Sequence, residues 1–165
     1  MLKSGIDRRA LLGAAAIGVA GTAFAMSGGA KVDRDAFPVR KTDRQWRRQL
    51  GDERYRILRQ SGTERPYSSP LNDEKRPGIY HCAGCDTPLF SSSDKYDSRT
   101  GWPAFTRAIL PNRVGYARDT SLGMIRTEEH CATCGGHLGH RFNDGPPPTG
   151  KRHCINGLAL RFKPA

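Results

Sequence analysis

The sequence predicts a mainly β domain with two small helices packed at its N-terminal side. Three observations lead there. Helical periodicity is confined to about residues 42–61, short apolar runs separated by Gly, Pro, Asn and Asp fill the chain beyond Pro66, and two C-x-x-C pairs bracket much of that second region. Composition agrees: 36% apolar residues with 19 Gly and 11 Pro in 165 imply many turns and a modest core. A core that small usually leans on a metal or on disulfides.

Met1 to Ala25 reads as an export leader, with a charged start, a weakly apolar stretch from Leu11 to Phe24, and small residues at Ala23 and Ala25. Arg8-Arg9 followed by Ala10-Leu11-Leu12 resembles a twin-arginine signal, a route that carries folded proteins. A general secretory signal or an uncleaved anchor is the alternative. The apolar stretch is too short and glycine-rich for a comfortable membrane span. The expectation is cleavage after Ala25, a periplasmic product and no stable membrane insertion afterwards. Residues 26–41 read as a linker and 42–165 as the working domain.

Thr42-Asp43-Arg44-Gln45 has the form of a capping box, with Thr42 as the cap and Gln45 reaching back. Trp46 and Leu50 share one helical face. Gly51 breaks the run, Asp52 is placed to cap a second short helix carrying Tyr55 and Leu58, and Ser61-Gly62 ends it. After Pro66 the candidate strands are 78–82, 87–90, 113–117, 121–127, 136–142 and 151–161. No internal repeat is evident beyond the duplicated C-x-x-C.

The formal charge of +11 raises the question of nucleic acid or an anionic surface. The charge is spread along the chain, with no run of five Lys or Arg and no RNA-binding aromatic motif. A soluble basic protein without a nucleic-acid partner is expected.

Five cysteines leave one unpaired. Cys82-Ala83-Gly84-Cys85 and Cys131-Ala132-Thr133-Cys134 each place two sulfurs within a tight turn. Two such knuckles face to face supply the four sulfurs of a closed structural zinc site. Disulfides or a thioredoxin-like redox pair compete in an oxidising compartment. A redox pair usually opens a helix after a strand, and neither pair precedes a helical pattern. Two matched pairs favour zinc, and a catalytic zinc is not expected because no His completes another set.

The fifth, Cys154, lies in Lys151-Arg152-His153-Cys154-Ile155-Asn156. Strand alternation puts Arg152, Cys154 and Asn156 on one face. A lone cysteine is by default buried and inert, but a guanidinium, a thiol and an amide in a row do not make a core face. An adjacent Arg favours the reactive thiolate. His137-Leu138-Gly139-His140 and Asp144 lie close together, offering a proton donor and a group to orient it. A regular strand would send His137 and His140 to opposite faces, with Gly139 a place to bend. Trp102, in Gly101-Trp102-Pro103, is either a core plug or a wall for an apolar ligand group.

These motifs together resemble the B family of methionine sulfoxide reductases, which acts on the R epimer. The resemblance runs from about Asp43 to Phe162 and includes Gly62-Thr63-Glu64-Arg65-Pro66, Arg76-Pro77-Gly78-Ile79-Tyr80, Tyr96-Asp97-Ser98, Gly101-Trp102-Pro103, His137-Leu138-Gly139-His140, Asp144-Gly145-Pro146, Arg152-His153-Cys154-Ile155-Asn156 and both knuckles. It implies a fold of two small antiparallel sheets stapled by a structural Zn held by Cys82, Cys85, Cys131 and Cys134. It implies that Cys154 attacks the sulfoxide sulfur, giving methionine and a Cys154 sulfenic acid. It also implies that His137, His140 and Asp144 serve the sulfoxide oxygen, that Arg152 and Asn156 organise the nucleophile and bound water, and that Trp102 receives the substrate methyl.

One position departs from the family. Many members carry a resolving cysteine just before Gly-Trp-Pro, where this chain has Thr100. Recycling of the sulfenic acid is therefore expected to use an external thiol, with an exported thioredoxin-like protein as the plausible partner. Methionine-R-sulfoxide within proteins is the expected substrate, and a monomer the expected state. A zinc-stapled binding module is the rival reading; it has no need of Cys154, His140 or Trp102.

Overall fold

The computed structural model describes residues 32–165. The expected leader and residues 26–31 of the expected linker lie outside them. Among the described residues, no helix is long and apolar enough to cross a membrane.

Helix α1 (Asp43–Gln60) opens on the expected capping box: Thr42 accepts from the Gln45 backbone N–H, and the Gln45 side chain returns to the Thr42 N–H. Gly51 sits inside it at φ 72°, ψ 167°, a conformation no right-handed helix contains, so the chain is helical on either side of a break. Trp46 and Leu50 before the break and Tyr55, Ile57 and Leu58 after it are buried. Each such side chain contributes roughly 1.5–3 kcal/mol by leaving water. Ser61, in the left-handed region, ends the helix.

Nine strands come after it among the described residues: β1 (Gly78–Cys82), β2 (Pro88–Ser91), β3 (Lys95–Tyr96), β4 (Ala104–Phe105), β5 (Val114–Asp119), β6 (Arg126–Cys131), β7 (His137–Phe142), β8 (Arg152–Ile155) and β9 (Leu160–Pro164). They form two antiparallel sheets, a three-stranded one ordered β2-β1-β9 and a six-stranded one ordered β3-β4-β8-β7-β6-β5. The mainly β expectation holds.

Two boundaries differ from the sequence reading. The strand expected at 121–127 lies at Arg126–Cys131, because Ser121–Gly123 forms a 3-10 turn, with the Ser121 N–H held by the Asp119 carboxylate and Leu122 at φ 56°. The run expected at 151–161 is two strands in two different sheets, parted by a turn at Gly157–Ala159. Strands β3 and β4, two residues each, are too short to carry a period and leave no mark in the sequence pattern.

The core lies between the sheets. Phe105 stacks on Phe90 at 4.5 Å and meets the edge of Tyr80 at 4.9 Å, while His153 touches Phe90. Strand alternation then sorts β8: His153 and Ile155 point into this core, and Cys154 points to the opposite face. His153 is held by the fully buried Glu129, whose carboxylate oxygen lies 2.6 Å from Nδ1.

Candidate active site and cysteine cluster

The two C-x-x-C pairs are the turns of two hairpins, β1–β2 and β6–β7, one from each sheet. Both turns are built alike. The Asp86 and Gly135 N–H groups donate to the carbonyls of Cys82 and Cys131, and the N–H groups of those cysteines donate to Thr87 and Gly136. Asp86 and Gly135 both occupy positive φ, at 61° and 67°. The duplication folds the same local chemistry twice.

The four sulfurs lie within 4.8 Å of one another, with Cys82–Cys134 at 3.7 Å and Cys85–Cys131 at 3.5 Å. A disulfide needs about 2.05 Å. Sulfurs at ~2.3 Å from a tetrahedral zinc stand about 3.8 Å apart, so this donor set fits that ion. Helix α1 secures both turns: Gln49 Nε2 donates to the Gly84 carbonyl and Arg59 Nη1 to the Cys134 carbonyl.

Cys154 opens onto a small pocket of about 120 Å³ lined by Thr63, Trp102, Arg126, Gly139, His140, Phe142 and Asn156. Four residues expected from sequence, Cys154, His140, Asn156 and Trp102, meet there. Registration explains why: Cys154 on β8 is paired with His140 on β7, and Gly139 allows the close approach, since a Cβ there would lie 2.0 Å from the Cys154 carbonyl oxygen.

His137 joins His140 on that face, their rings 5.4 Å apart. The pairing steps from Glu129–Gly139 to His130–His137, so β7 carries one extra residue where β6 carries none. That bulge supplies the change of face for which the sequence pointed to Gly139.

The orienting carboxylates come from elsewhere. His140 Nε2 lies 2.8 Å from Asp119 Oδ2, and His137 Nδ1 lies 2.8 Å from Glu128 Oε1. An ionised carboxylate only accepts, so those ring nitrogens carry the protons. Asp119 also accepts from Arg126 Nη2 at 2.7 Å and from Ser121 N–H. Partial burial alone would raise the Asp119 pKa, but the contacts from Ser121, His140 and Arg126 outweigh it and hold the carboxyl well below the usual range. Burial lowers the His140 pKa below 6.5, helped by Arg126 and His137 and opposed by Asp119.

Asp144 is placed differently from the sequence expectation. It forms a two-point pair with Arg152, at 2.9 and 2.8 Å, with its side chain 61% exposed. The Arg152 guanidinium lies over the Phe142 ring at 4.3 Å. Burial pushes the Cys154 thiol up, and Thr100 and Arg152 only partly offset it. Thr100 Oγ1 lies 3.9 Å from Cys154 Sγ. Arg152 therefore acts in the direction expected, but desolvation wins.

Glu64 ties the pocket walls together. Its carboxylate accepts the Gly157 and Leu158 N–H groups at 2.5 and 2.9 Å. Its N–H donates to Asn156 Oδ1, and its carbonyl accepts from Trp102 Nε1 at 3.3 Å. Asn156 Nδ2 in turn donates to the Leu138 carbonyl. Sequence reasoning missed Glu64, Asp119, Arg126 and Glu128 in these roles. Glu64 stands in the Gly62-Thr63-Glu64-Arg65-Pro66 motif, and the other three carry no local signal.

The SelR domain family matches residues 50–164. Peptide methionine sulfoxide reductase MsrB of Agrobacterium fabrum is 52% identical over 126 residues, 76% of this chain and 93% of that protein. The protein of the same name from Pseudomonas putida strain W619 is 54% identical over 76% of this chain and 95% of its own length. That of Thiobacillus denitrificans is 54% identical over 75% and 94%.

Proposed function

The chain belongs to the SelR-domain family and acts as an MsrB-type peptide methionine sulfoxide reductase, and on that premise we propose that Cys154 is the nucleophile of a one-cysteine cycle acting on the R epimer. The observation that carries this reading is the convergence of Cys154, His140, Asn156 and Trp102 on one small pocket.

The chemistry balances on those groups. The Cys154 sulfur attacks the sulfoxide sulfur, the sulfur–oxygen bond of the substrate breaks, and oxygen passes to Cys154 as a sulfenic acid. Methionine sulfur is reduced by two electrons and Cys154 sulfur oxidised by two. The departing oxygen needs a proton, and His140, held by Asp119, delivers it. Trp102 forms an apolar wall for the methyl group. Arg152 favours the thiolate, Asp144 orders Arg152, and His137 backs His140.

Two external thiols then return Cys154 to the thiol, releasing water and one disulfide. Thr100 beside Cys154 supports an external reductant, for which a thioredoxin-like protein is suited. Cys82, Cys85, Cys131 and Cys134 would hold a structural zinc that joins the sheets and takes no part in the reaction. The substrate is methionine-R-sulfoxide in damaged proteins, reduced by a monomer in the periplasm after twin-arginine export. Replacing Arg8-Arg9 with Lys-Lys tests the export reading: the mature chain should no longer reach the periplasm, and undiminished export would refute the route. Activity toward separated sulfoxide epimers tests the rest. Consumption of the R epimer alone supports the assignment, and equal consumption of the S epimer refutes it.

A further inference from the structure

Residues 32–41, expected as a linker, lie against the domain. Asp33 caps a 3-10 turn at Arg34–Ala36, its side chain accepting from the Asp35 N–H. Past the turn, the Phe37 ring meets the edge of His130 at 5.3 Å. Phe37 also fills the space over Gly135, where a Cβ would come within 2.5 Å of the ring. The Val39 N–H donates to the Thr133 carbonyl at 3.0 Å. The segment is thus pinned to the second cysteine knuckle, and this positions Arg34.

Arg34 is inserted rather than solvated, its side chain 15% exposed. Its Nη2 lies 2.9 Å from Ser61 Oγ, at the end of α1, and 3.1 Å from Glu128 Oε1. That same Glu128 oxygen accepts the Nδ1 proton of His137. The other ring nitrogen of His137, Nε2, is buried without a hydrogen-bond partner among the described residues. Arg34, Glu128, His137 and His140 line one cavity of about 680 Å³, which shares Thr63, Arg126 and His140 with the Cys154 pocket.

We infer that residues 32–39 form a strap whose Arg34 is a positioning residue for the active site: it holds Glu128 in place, and Glu128 fixes the tautomer and orientation of His137 beside His140. The physical case is that of any buried carboxylate serving a histidine. Glu128 is mostly buried and accepts from two sides at once, and without Arg34 it keeps the His137 contact but loses the charge that anchors it. A carboxylate released in this way turns, and the imidazole it holds turns with it. The strap lies outside the residues matched by the SelR-domain family, so the arrangement stands on this chain's own residues.

The inference rests on the reductase reading, and its test separates the two. Wild-type turnover of methionine-R-sulfoxide by the full chain reports on the reading itself; only the ratio of variant to wild type reports on the strap. Arg34→Ala should lower kcat about tenfold, the low end of what losing an outer partner costs at a metal-bound histidine, with KM within about twofold. Arg34→Lys, which keeps the charge, should recover most of that loss. Metal content should stay at wild-type values in both; the melting temperature should fall in Arg34→Ala, where a mostly buried carboxylate loses a partner, and return in Arg34→Lys. Unchanged kcat in Arg34→Ala would overturn the strap's role. So would a loss expressed in KM, or one that is not recovered by Arg34→Lys.

Discussion

His140 Nε2 and Asp119 Oδ2 stand 2.8 Å apart across 21 residues of sequence, and the same carboxylate oxygen receives Arg126 Nη2 at 2.7 Å. Asp119 therefore orients His140 and also favours its charged form. Arg126 and His137 oppose that second effect, and burial brings His140 below 6.5 on balance. Removing the Asp119 charge should lower the His140 pKa further. In Asp119→Asn, the acid limb of the pH–rate profile should move to lower pH, and the plateau should fall. An unmoved limb would show that His140 is not the group that titrates there.

The wild-type profile derives from two opposed shifts. His140 lies below its ordinary 6.5, and burial raises Cys154 above its ordinary 9.0. In the proposed mechanism the reactive pair is Cys154 ionised with His140 protonated, and its population falls both below the His140 value and above the Cys154 value. Reduction of the R epimer should run flat between those limbs. A rate climbing steadily from pH 6 to 8, as for a cysteine of ordinary acidity acting alone, would contradict the assignment.

The helix break, its caps and the knuckles were legible because each is local. Gly51, the Thr42–Gln45 box and the spacing of Cys82 with Cys85 act within a turn or two of chain. The Cys154 face was legible because strand alternation alone sets it. The site's support was not, because Glu64, Asp119 and Glu128 reach their partners through sheet pairing and loop closure. The bulge that brings His137 round to His140 is a register shift between two strands, invisible in either one. Asp144 is close to the histidines in sequence, yet its carboxylate pairs across the β7–β8 connection with Arg152.

Glu64 should matter for stability and for substrate fit together. Glu64→Gln keeps the size but turns an amide N–H toward the Gly157 or Leu158 N–H, and loses charge-assisted bonds worth about 1.5–3 kcal/mol each. A loss of about 2 kcal/mol in denaturant unfolding is expected. KM should also rise, because Trp102 and Asn156 are both held by the Glu64 backbone. An unfolding free energy equal to wild type would contradict this account of the loop.

The cysteine cluster predicts one zinc per chain. Cys82→Ser should lose it and destabilise the domain by more than about 5 kcal/mol, since such a site scarcely exists in the unfolded chain. Mass spectrometry and metal analysis of native protein decide the matter. Metal-free protein with Cys82–Cys85 and Cys131–Cys134 disulfides would contradict it.

In the proposed cycle Cys154 alone takes the oxygen, with no partner thiol in the chain. Thr100 lies 3.9 Å from its sulfur, and the other four cysteines are gathered in the cluster. The most direct measurement is to give the reduced enzyme one equivalent of methionine-R-sulfoxide without reductant, trap the product, and map it by mass spectrometry. The expected result is one methionine per chain, a sulfenic acid at Cys154 and all four cluster cysteines unmodified. A disulfide from Cys154 to any cluster cysteine, or methionine formed with Cys154 unchanged, would contradict it.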